Sequence, residues 1–322
     1  FAAITGVSST ATITIDGNYQ TFNYNAAYAP FQFTGADYVT IKNLTLINAN
    51  ATPGGFWFNN QSDYNTITGC TVNFSALASA TTGAYYLSMS TSVSSPTSYG
   101  SAATGTTGQP GSYNTFSSNT FMTSYANSPG PYYAVSLNGN SGNYSTVTQN
   151  NTFTTNKIQN FYYYAIFQYY TNGNSITSND ISRANTSIGG STTLYGIYNY
   201  YSYSTTRSAE ISKNSIHDLP FAGATLTTTT LLSYYLTYDY YVYGNATYRS
   251  QIVGNSFYNI YTTTGTCYGN YVYYPQYLDI KGNTMDNIQS SGASATMYMW
   301  YVYYPSYTVM DGNKITNSVG NY

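Results

Sequence analysis

Carboxylate side chains are the natural starting point, because acid/base catalysis and calcium binding both need two or more of them held close together. The chain has ten Asp and Glu residues. Only Asp37 and Asp63 occupy equivalent positions, each four residues before the first apolar residue of a repeated motif described below. On adjacent turns of a repeat structure, their carboxylates would lie within about 5–6 Å of each other.

This pair has three interpretations. In the stretches ADY and SDY, the Asp side chain can accept a backbone hydrogen bond at a turn that enters a strand, and we favour this structural role. The alternatives are weak cation binding, for which Asp37 and Asp63 are the only candidate metal ligands, and a catalytic pair.

The other reactive residue types are sparse. His217 is the single histidine, so neither a histidine metal site nor a Ser-His-Asp triad can form, and we expect it to lie in a turn within SIHDLP. Cys70 and Cys267 are expected to be two buried thiols rather than a disulfide. No phosphate-binding glycine motif is present. The sequence therefore predicts no cofactor and no enzymatic activity.

Composition narrows the class of protein further. Charged residues make up 6% of the 322 residues and aromatic residues 18%, with 43 tyrosines, and the net charge is −2. The eight Lys and Arg residues form no basic cluster, so nucleic acid is not an expected partner. No apolar run is long enough for a transmembrane helix. Both ends of the sequence fall within a pattern, so we expect a segment of a longer chain.

A short motif recurs along the chain: an apolar residue, two residues, Asn, any residue, and a second apolar residue. Copies include SITSNDI (175–181), EISKNSI (210–216) and DIKGNTM (279–285), and TVTQNNTF (146–153) fits with one extra residue. The shorter intervals between copies are 26–31 residues. The nine first apolar residues are Ile41, Ile67, Phe116, Val147, Ile176, Ile211, Ile252, Ile280 and Met310.

The segments between these copies alternate with period two and are rich in β-branched and aromatic residues. Such a repeat predicts an all-β fold, a right-handed parallel β-helix of about nine or ten coils stacked about 4.8 Å apart. We expect a single domain over 1–322, with loop insertions near 76–112 and 218–248.

The repeated Asn predicts an inward-facing ladder, because the amide of one coil can bond the equivalent amide of the next and Asn tolerates a tight corner. Leu44 and Cys70 take its place in the first two copies. The predicted members of this structural Asn ladder are Asn119, Asn150, Asn179, Asn214, Asn255, Asn283 and Asn313.

Tyrosine recurs at the same interval. Three residues before the first apolar residue lies a column that includes Tyr38, Tyr64, Tyr113, Tyr144, Tyr277 and Tyr307. The phrase YVYYP occurs at 271–275 and again at 301–305. Alternation turns Tyr271, Tyr273, Tyr301 and Tyr303 to one side and Val272 and Tyr274 to the other. We predict that the first set forms an exposed aromatic ladder that serves as a binding surface.

The phrases ITIDGN (13–18), FTGADYVTIKNLTLIN (33–48) and SAEISKNSIHDL (208–219) resemble the right-handed parallel β-helix modules, pectate-lyase-like solenoids, of large secreted surface adhesins. Such modules are common in Bacteroidota proteins exported by the type IX system. The resemblance implies an extracellular or cell-surface location. Among relatives of this fold are pectate lyases, glycosidases, tail spikes and adhesin stalks.

Three functions follow as hypotheses. The first is a structural and adhesive module, a stiff tyrosine-rich segment of a cell-surface fibre that mediates self-association or attachment. Its partners would be other copies, neighbouring modules of the same chain, glycans or another cell surface. The alternative is a carbohydrate-binding or polysaccharide-cleaving β-helix whose rings stack on sugars. The third, an amyloid-like low-complexity segment, is disfavoured by the regular motif.

Overall fold

The computed structural model describes residues 1–97, 110–139, 148–184, 193–222, 233–290 and 295–319, and within these ranges the regular structure is entirely β. Every pair of strands is parallel, and each coil of about three strands stacks on the previous one. The fold is a right-handed parallel β-helix with three long sheets. This confirms the fold class that the repeat predicts.

The first sheet carries the repeated motif. Its strands are β1 (Ile13–Asp16), β4 (Val39–Lys42), β7 (Thr66–Thr68), β10 (Thr115–Ser117), β14 (Thr152–Thr154), β17 (Ser175–Thr177), β20 (Glu210–Ser212), β23 (Ser250–Val253), β26 (Leu278–Lys281) and β29 (Val309–Asp311).

Each strand of the second sheet follows a strand of the first sheet along the chain, after a short corner. Its strands are β2 (Thr21–Tyr24), β5 (Thr45–Asn48), β8 (Thr71–Phe74), β11 (Thr120–Thr123), β15 (Lys157–Gln159), β18 (Asp180–Ser182), β21 (Ser215–Leu219), β24 (Ser256–Thr262), β27 (Thr284–Ser290) and β30 (Lys314–Thr316).

The third sheet contains the longest strands. They are β3 (Phe31–Thr34), β6 (Gly54–Asn59), β9 (Tyr85–Met89), β12 (Tyr133–Asn138), β16 (Tyr164–Asn172), β19 (Thr193–Tyr203), β22 (Ser233–Tyr243), β25 (Cys267–Tyr273) and β28 (Met297–Tyr303), with β13 (Thr148–Gln149) paired to the end of β16. The ranges predicted as insertions contain β9 and β22. Their residues 98–109 and 223–232 lie outside the described residues.

The core is a set of columns of like side chains, because parallel strands in register place equivalent residues directly above one another. In the first sheet, for example, Phe116 pairs with Phe153, which pairs with Ile176. All three are fully buried. This register corrects the alignment of the fourth motif copy. Its first apolar residue is Phe153, and Val147, predicted for that place, lies outside the described residues.

The corner between the first and second sheets carries the Asn ladder. Each ladder Asn before the last donates its backbone N–H and its Nδ2 to the Oδ1 of the Asn one coil further on, as from Asn255 to Asn283 at 2.9 Å for both bonds. The amide also donates to a backbone carbonyl of the preceding coil. The members are Asn119, Asn156, Asn179, Asn214, Asn255, Asn283 and Asn313.

Asn150 does not belong to this ladder, so that prediction was wrong. It lies at another corner, with φ 55°, and its N–H donates to the carbonyl oxygen of Asn172. The ladder position of this coil is taken by Asn156, which bonds Asn179. Both asparagines fit the sequence motif, and the strand pairing of Phe153 decides between them.

A second, shorter Asn ladder runs along the corner before the first sheet and was not predicted. Asn65 donates its N–H to Asn114 Oδ1, and Asn114 donates to Asn151 Oδ1, each at 2.9 Å. Asn151 in turn donates to Asn174 Oδ1. The signal was present in the sequence, since each of these asparagines lies two residues before the first apolar residue of its coil.

The predicted tyrosine column occupies that same corner. Tyr38, Tyr64 and Tyr113 stack with centroid distances of 5.0 and 4.9 Å, and all three have positive φ. A left-handed Tyr costs roughly 1–2 kcal/mol, which ring stacking offsets. Further along the chain, Tyr277 stacks on Tyr307. Tyr144 lies outside the described residues.

Candidate functional site

The outer surface of the third sheet is covered by aromatic rings, and we call it the tyrosine face. Four columns run across strands β16, β19, β22, β25 and β28, one of them starting on β12, with neighbouring ring centroids 4.5–5.4 Å apart. The columns are Tyr133–Tyr164–Tyr195–Tyr235–Tyr268–Tyr298, Phe167–Tyr198–Tyr238–Tyr271–Tyr301, Tyr169–Tyr200–Tyr240–Tyr273–Tyr303 and Tyr170–Tyr201–Tyr241–Tyr274–Tyr304.

The four residues predicted to form the exposed ladder lie in two adjacent columns of this face. Tyr271 stacks on Tyr301 at 5.0 Å, and Tyr273 stacks on Tyr303 at 5.1 Å. Tyr271, Tyr273 and Tyr301 are half-buried, and Tyr303 is exposed. Strand register places each pair directly opposite across β25 and β28.

The fourth column was not predicted, because alternation should turn Tyr274 inward. Tyr274 and Tyr304 instead have φ of 51° and 50°, in the left-handed region. This conformation breaks the alternation, so Tyr273 and Tyr274 both face outward and their rings meet edge to face at 4.4 Å. The sequence signal was the doublet YY, which recurs at 169–170, 200–201, 240–241, 273–274 and 303–304.

Stacking determines which part of each ring a partner can reach. Tyr198, Tyr238 and Tyr271 lie with planes within 3° of each other and centroids 4.8 Å apart, so the faces of a mid-column ring are covered by the rings above and below. What the surface presents to solvent is ring edges and phenol hydroxyls. The face therefore offers ordered hydrogen-bonding groups on an apolar base.

The tyrosine face is also uncharged. Its columns contain only Tyr and one Phe, and burial together with neighbouring phenols raises the pKa of Tyr240 and of Tyr268 to about 12. Burial, followed by the electrostatic effect of the neighbouring Tyr301 phenol, likewise raises the pKa of Tyr271. The hydroxyls stay protonated at physiological pH, so two such faces would not repel each other.

Polar side chains line the interior behind this face. Gln168, Asn199 and Asp239 are aligned on β16, β19 and β22, and Asn199 Nδ2 donates to Asp239 Oδ1 at 3.0 Å. They border a small cavity. The volume available in it to the centre of a water molecule is about 10 Å³, which is enough room for one water. Burial raises the pKa of Asp239 to about 7, against the hydrogen bonds of Asn199 and Thr237, which lower it.

The predicted carboxylate pair lies at the corner before the first sheet. Asp37 Oδ1 accepts the N–H of Asp63 at 2.7 Å, and Asp63 Oδ1 accepts the N–H of Ser112 at 2.6 Å. Each carboxylate thus accepts a backbone N–H of the next coil rather than one of its own turn. Burial raises the pKa of Asp63 to about 6, against the Ser112 hydrogen bond and with a smaller contribution from Asp37. Cation binding by this pair stays a prediction.

His217 is not in a turn, so that expectation was wrong. It lies on β21 and its ring is held between two carboxylates, with Nε2 2.7 Å from Asp180 Oδ1 and Nδ1 2.8 Å from Asp218 Oδ2. The ring also stacks on Tyr258 at 4.6 Å. Burial lowers the pKa of His217, but the bonds and charges of the two carboxylates outweigh it, so the net shift is upward. This cluster was not predicted, because its residues belong to three coils and lie far apart in the sequence.

Cys70 and Cys267 are buried free thiols, as predicted. Burial raises the pKa of Cys70 to about 11, against hydrogen bonds to backbone groups, and raises that of Cys267 to about 12. Neither thiol is therefore activated as a nucleophile. In the part of the chain that the structure describes, no helix is long and apolar enough to cross a membrane.

No protein-family model and no curated protein matches the chain. Among solved structures it is similar to the Agl-KA catalytic domain, with 12% identity, 95% of this chain and 53% of that chain covered, and a TM-score of 0.38. The chain thus spans about half of that protein. It is similar to the A-module of mannuronan C-5 epimerase AlgE6 of Azotobacter vinelandii, with 12% identity, 91% of each chain covered and a TM-score of 0.35.

A third similar structure is the surface protein and adhesin PfbA of Streptococcus pneumoniae, with 10% identity, 94% of this chain and 91% of that chain covered, and a TM-score of 0.28. The similar structures therefore include two enzyme modules and an adhesin. The sequence-based expectation that the chain is not an enzyme is contradicted by the two enzyme modules. The lack of a familiar catalytic motif does not exclude activity.

Proposed function

We propose that the chain is a structural and adhesive extracellular module, a stiff segment of a cell-surface fibre that mediates self-association or attachment. The tyrosine face is the observation that carries this proposal. By its sequence resemblance, the parent would be a large secreted surface protein of the kind that Bacteroidota export through the type IX system. Residues 1–322 would form one β-helix domain within that longer chain.

Stiffness is supported by the hydrogen bonds between coils. Each ladder Asn inside the stack makes bonds to both neighbouring coils, as Asn214 does to Asn179 and Asn255. Three parallel sheets run the same length beside the ladder. A solenoid in which every repeat is bonded to the next resists bending and transmits tension along its axis.

Adhesion is supported by the order and the neutrality of the tyrosine face. Stacking already fixes rings such as Tyr238 and Tyr240, so binding them costs little further side-chain entropy. No charged group has to be desolvated, and each hydroxyl can both donate and accept a hydrogen bond. A second copy of the same face is therefore a suitable partner, as are neighbouring modules, glycans or another cell surface.

Sedimentation velocity over a range of concentrations tests the proposal. We expect the wild-type chain to associate, and Tyr240→Lys or Tyr273→Lys to weaken association at least tenfold, because an ammonium buried in the contact lacks a partner. Tyr28→Lys is the matched control, since Tyr28 is exposed but lies outside the face. Circular dichroism checks that each variant is folded. Wild-type chain that stays monomeric and also binds no glycan or cell surface would refute the adhesive role.

A second candidate, polysaccharide binding or cleavage, is favoured by the cluster around His217. A protonatable imidazole between Asp180 and Asp218, beside the ring of Tyr258, combines groups used in general acid/base catalysis with an aromatic side chain that can contact a sugar. Reducing-end assays on acidic and neutral polysaccharides test it. Activity in the wild type that disappears in Asp180→Asn and His217→Gln would support this candidate. Equal rates in all three proteins would show that the His217 cluster does not carry the activity.

A further inference from the structure

Several stacked tyrosine pairs combine close contact with solvent access, and three of them join residues 273–277 to residues 303–307. Tyr277 and Tyr307 have centroids 4.4 Å apart with planes 10° from parallel, and Tyr307 is 68% exposed. Tyr274 and Tyr304 stack at 4.8 Å, with Tyr304 56% exposed. The members of each pair lie on consecutive coils, 30 residues apart. Tyr273 and Tyr303 repeat the arrangement at 5.1 Å.

Stacked phenols are disposed for oxidative coupling. A one-electron oxidant removes one electron and one proton from each phenol, which leaves the unpaired spin shared between the oxygen and the ortho carbons. Two such radicals join through a bond between ortho carbons, and the hydrogen on each of these carbons then moves to its phenol oxygen. Two tyrosines together lose two electrons and two protons, and one molecule of peroxide, reduced to two waters, accepts them.

We propose that these stacked pairs are a site of oxidative tyrosine cross-linking between successive coils, with a peroxide and a peroxidase-type one-electron oxidant as co-substrates. Because nearly parallel stacked rings differ mainly by a translation, their ortho carbons lie about as far apart as their centroids. An exposed ring can swing about its side-chain bonds to close the remaining gap. The proposal does not depend on the adhesive role.

The geometry also selects among the available pairs. Tyr303 and Tyr304 are neighbours in sequence with centroids 4.1 Å apart, but their planes are inclined by 63°. The edge of one ring therefore points at the face of the other, and the Tyr303 hydroxyl donates to the Tyr304 hydroxyl at 3.3 Å. Coupling between residues on consecutive coils is expected to exceed coupling between these sequence neighbours, because only the stacked rings are related by a translation that sets ortho carbon opposite ortho carbon. Each such link closes a loop between two coils and would stop the β-helix from unwinding there.

The test is oxidation of the full chain by a haem peroxidase with limiting hydrogen peroxide, followed by isolation of the monomer and proteolytic mapping. We expect dityrosine fluorescence, a loss of two hydrogens per link, and linked peptides that join Tyr277 to Tyr307 and Tyr274 to Tyr304. These links should be several-fold more abundant than in chain oxidised in urea. The oxidised folded chain should also melt at a higher temperature.

Tyr307→Phe should abolish the Tyr277 link and leave the Tyr274–Tyr304 link in place, because Phe keeps the stack but resists one-electron oxidation. Tyr28→Phe is the control, as Tyr28 is exposed and stacks on no described ring. The proposal is overturned if the folded and urea-unfolded chains give the same linked pairs. It is equally overturned if the folded chain couples only between molecules.

Discussion

Tyr273 and Tyr303 stack with ring centroids 5.1 Å apart and planes 13° from parallel, although 30 residues separate them in the chain. Their contact exists because β25 and β28 pair in register, so that Tyr271, Val272 and Tyr273 lie opposite Tyr301, Val302 and Tyr303. A repeat in the sequence thus becomes a column in space. The same relation generates the asparagine ladders, whose energetic contribution can be measured.

Asn156→Leu should strongly destabilise the chain. The substitution leaves the N–H and Nδ2 of Asn119 without their acceptor, and the carbonyl of Phe116 without its donor. Leucine fits this column, because Leu44 occupies it in an earlier coil. Buried polar groups that lose partners cost about 1–3 kcal/mol each, so we expect about 3 kcal/mol in total and a melting temperature lower by roughly 5–10 °C.

Asn150→Gly is the matched control for that experiment. Asn150 sits at φ 55°, where glycine is unstrained, and its Oδ1 has no hydrogen-bond partner among the described residues. The free energy of unfolding should change by less than about 0.5 kcal/mol. If Asn150→Gly were the more damaging of the two substitutions, the ladder would run through Asn150 as the sequence motif predicts.

The fold and most of the ladder can be predicted from the sequence, because in a parallel in-register repeat the alignment of the copies determines which residues share a column. Around TVTQNNTFTTNKI two alignments are possible. Choosing Asn156 over Asn150 depends on whether Phe153 or Val147 enters the core, a contact between coils that the local motif does not contain. The strand pairing of Phe116 with Phe153 makes the choice.

The candidate sites were harder to predict because they depend on local departures from the repeat. Tyr274 faces outward only because its φ is 51°, whereas strict alternation would bury it. His217 meets Asp180 because β21 continues through Leu219 and pairs with β18, where a shorter strand would place the ring in a turn. Backbone conformation and strand length of this kind are set by the neighbouring coils.

His217→Gln should reduce stability at low pH and remove one part of its pH dependence. The folded-state pKa of His217 is raised overall, because Asp180 and Asp218 outweigh the effect of burial. Stability from the imidazolium is therefore fully present below the ordinary pKa of 6.5 and is lost as pH rises through the raised value. We expect a loss of about 1 kcal/mol at pH 5.5.

Urea titrations of the wild type and His217→Gln from pH 5 to pH 9 measure this contribution. The other groups near the imidazole are Lys157, which acts on Asp180, and Tyr258, which stacks on the ring. Lys157→Gln is the control, because it removes a nearby charge but neither hydrogen bond of the imidazole. A difference between wild type and His217→Gln that stays constant over this range would show that the ring contributes by packing alone.

Asp239→Asn should stabilise the chain in mildly alkaline solution. Asp239 is fully buried behind the tyrosine face without an ion-pair partner among the described residues, and burial raises its pKa to about 7 from an ordinary value of 3.8. The folded chain therefore keeps a proton that the unfolded chain releases, so stability falls as pH rises from about 4 to about 7. An asparagine in its place has nearly the same shape as the protonated Asp239 side chain and stays uncharged at every pH.

We expect Asp239→Asn to exceed the wild type by about 2 kcal/mol at pH 8 and to match it near pH 4, since a buried unpaired carboxylate is costly and a protonated one is not. The pKa of Asp63 is also raised, to about 6, so Asp63 makes stability fall over an overlapping pH range. It does so in both the wild type and Asp239→Asn, and the difference in stability between these two proteins therefore reports the contribution of Asp239. Asp311→Asn, at an exposed position, is the control and should leave the slope unchanged. Equal slopes for Asp239→Asn and the wild type would mean that Asp239 is ionised in the folded chain, with the charge compensated inside the cavity it shares with Asn199.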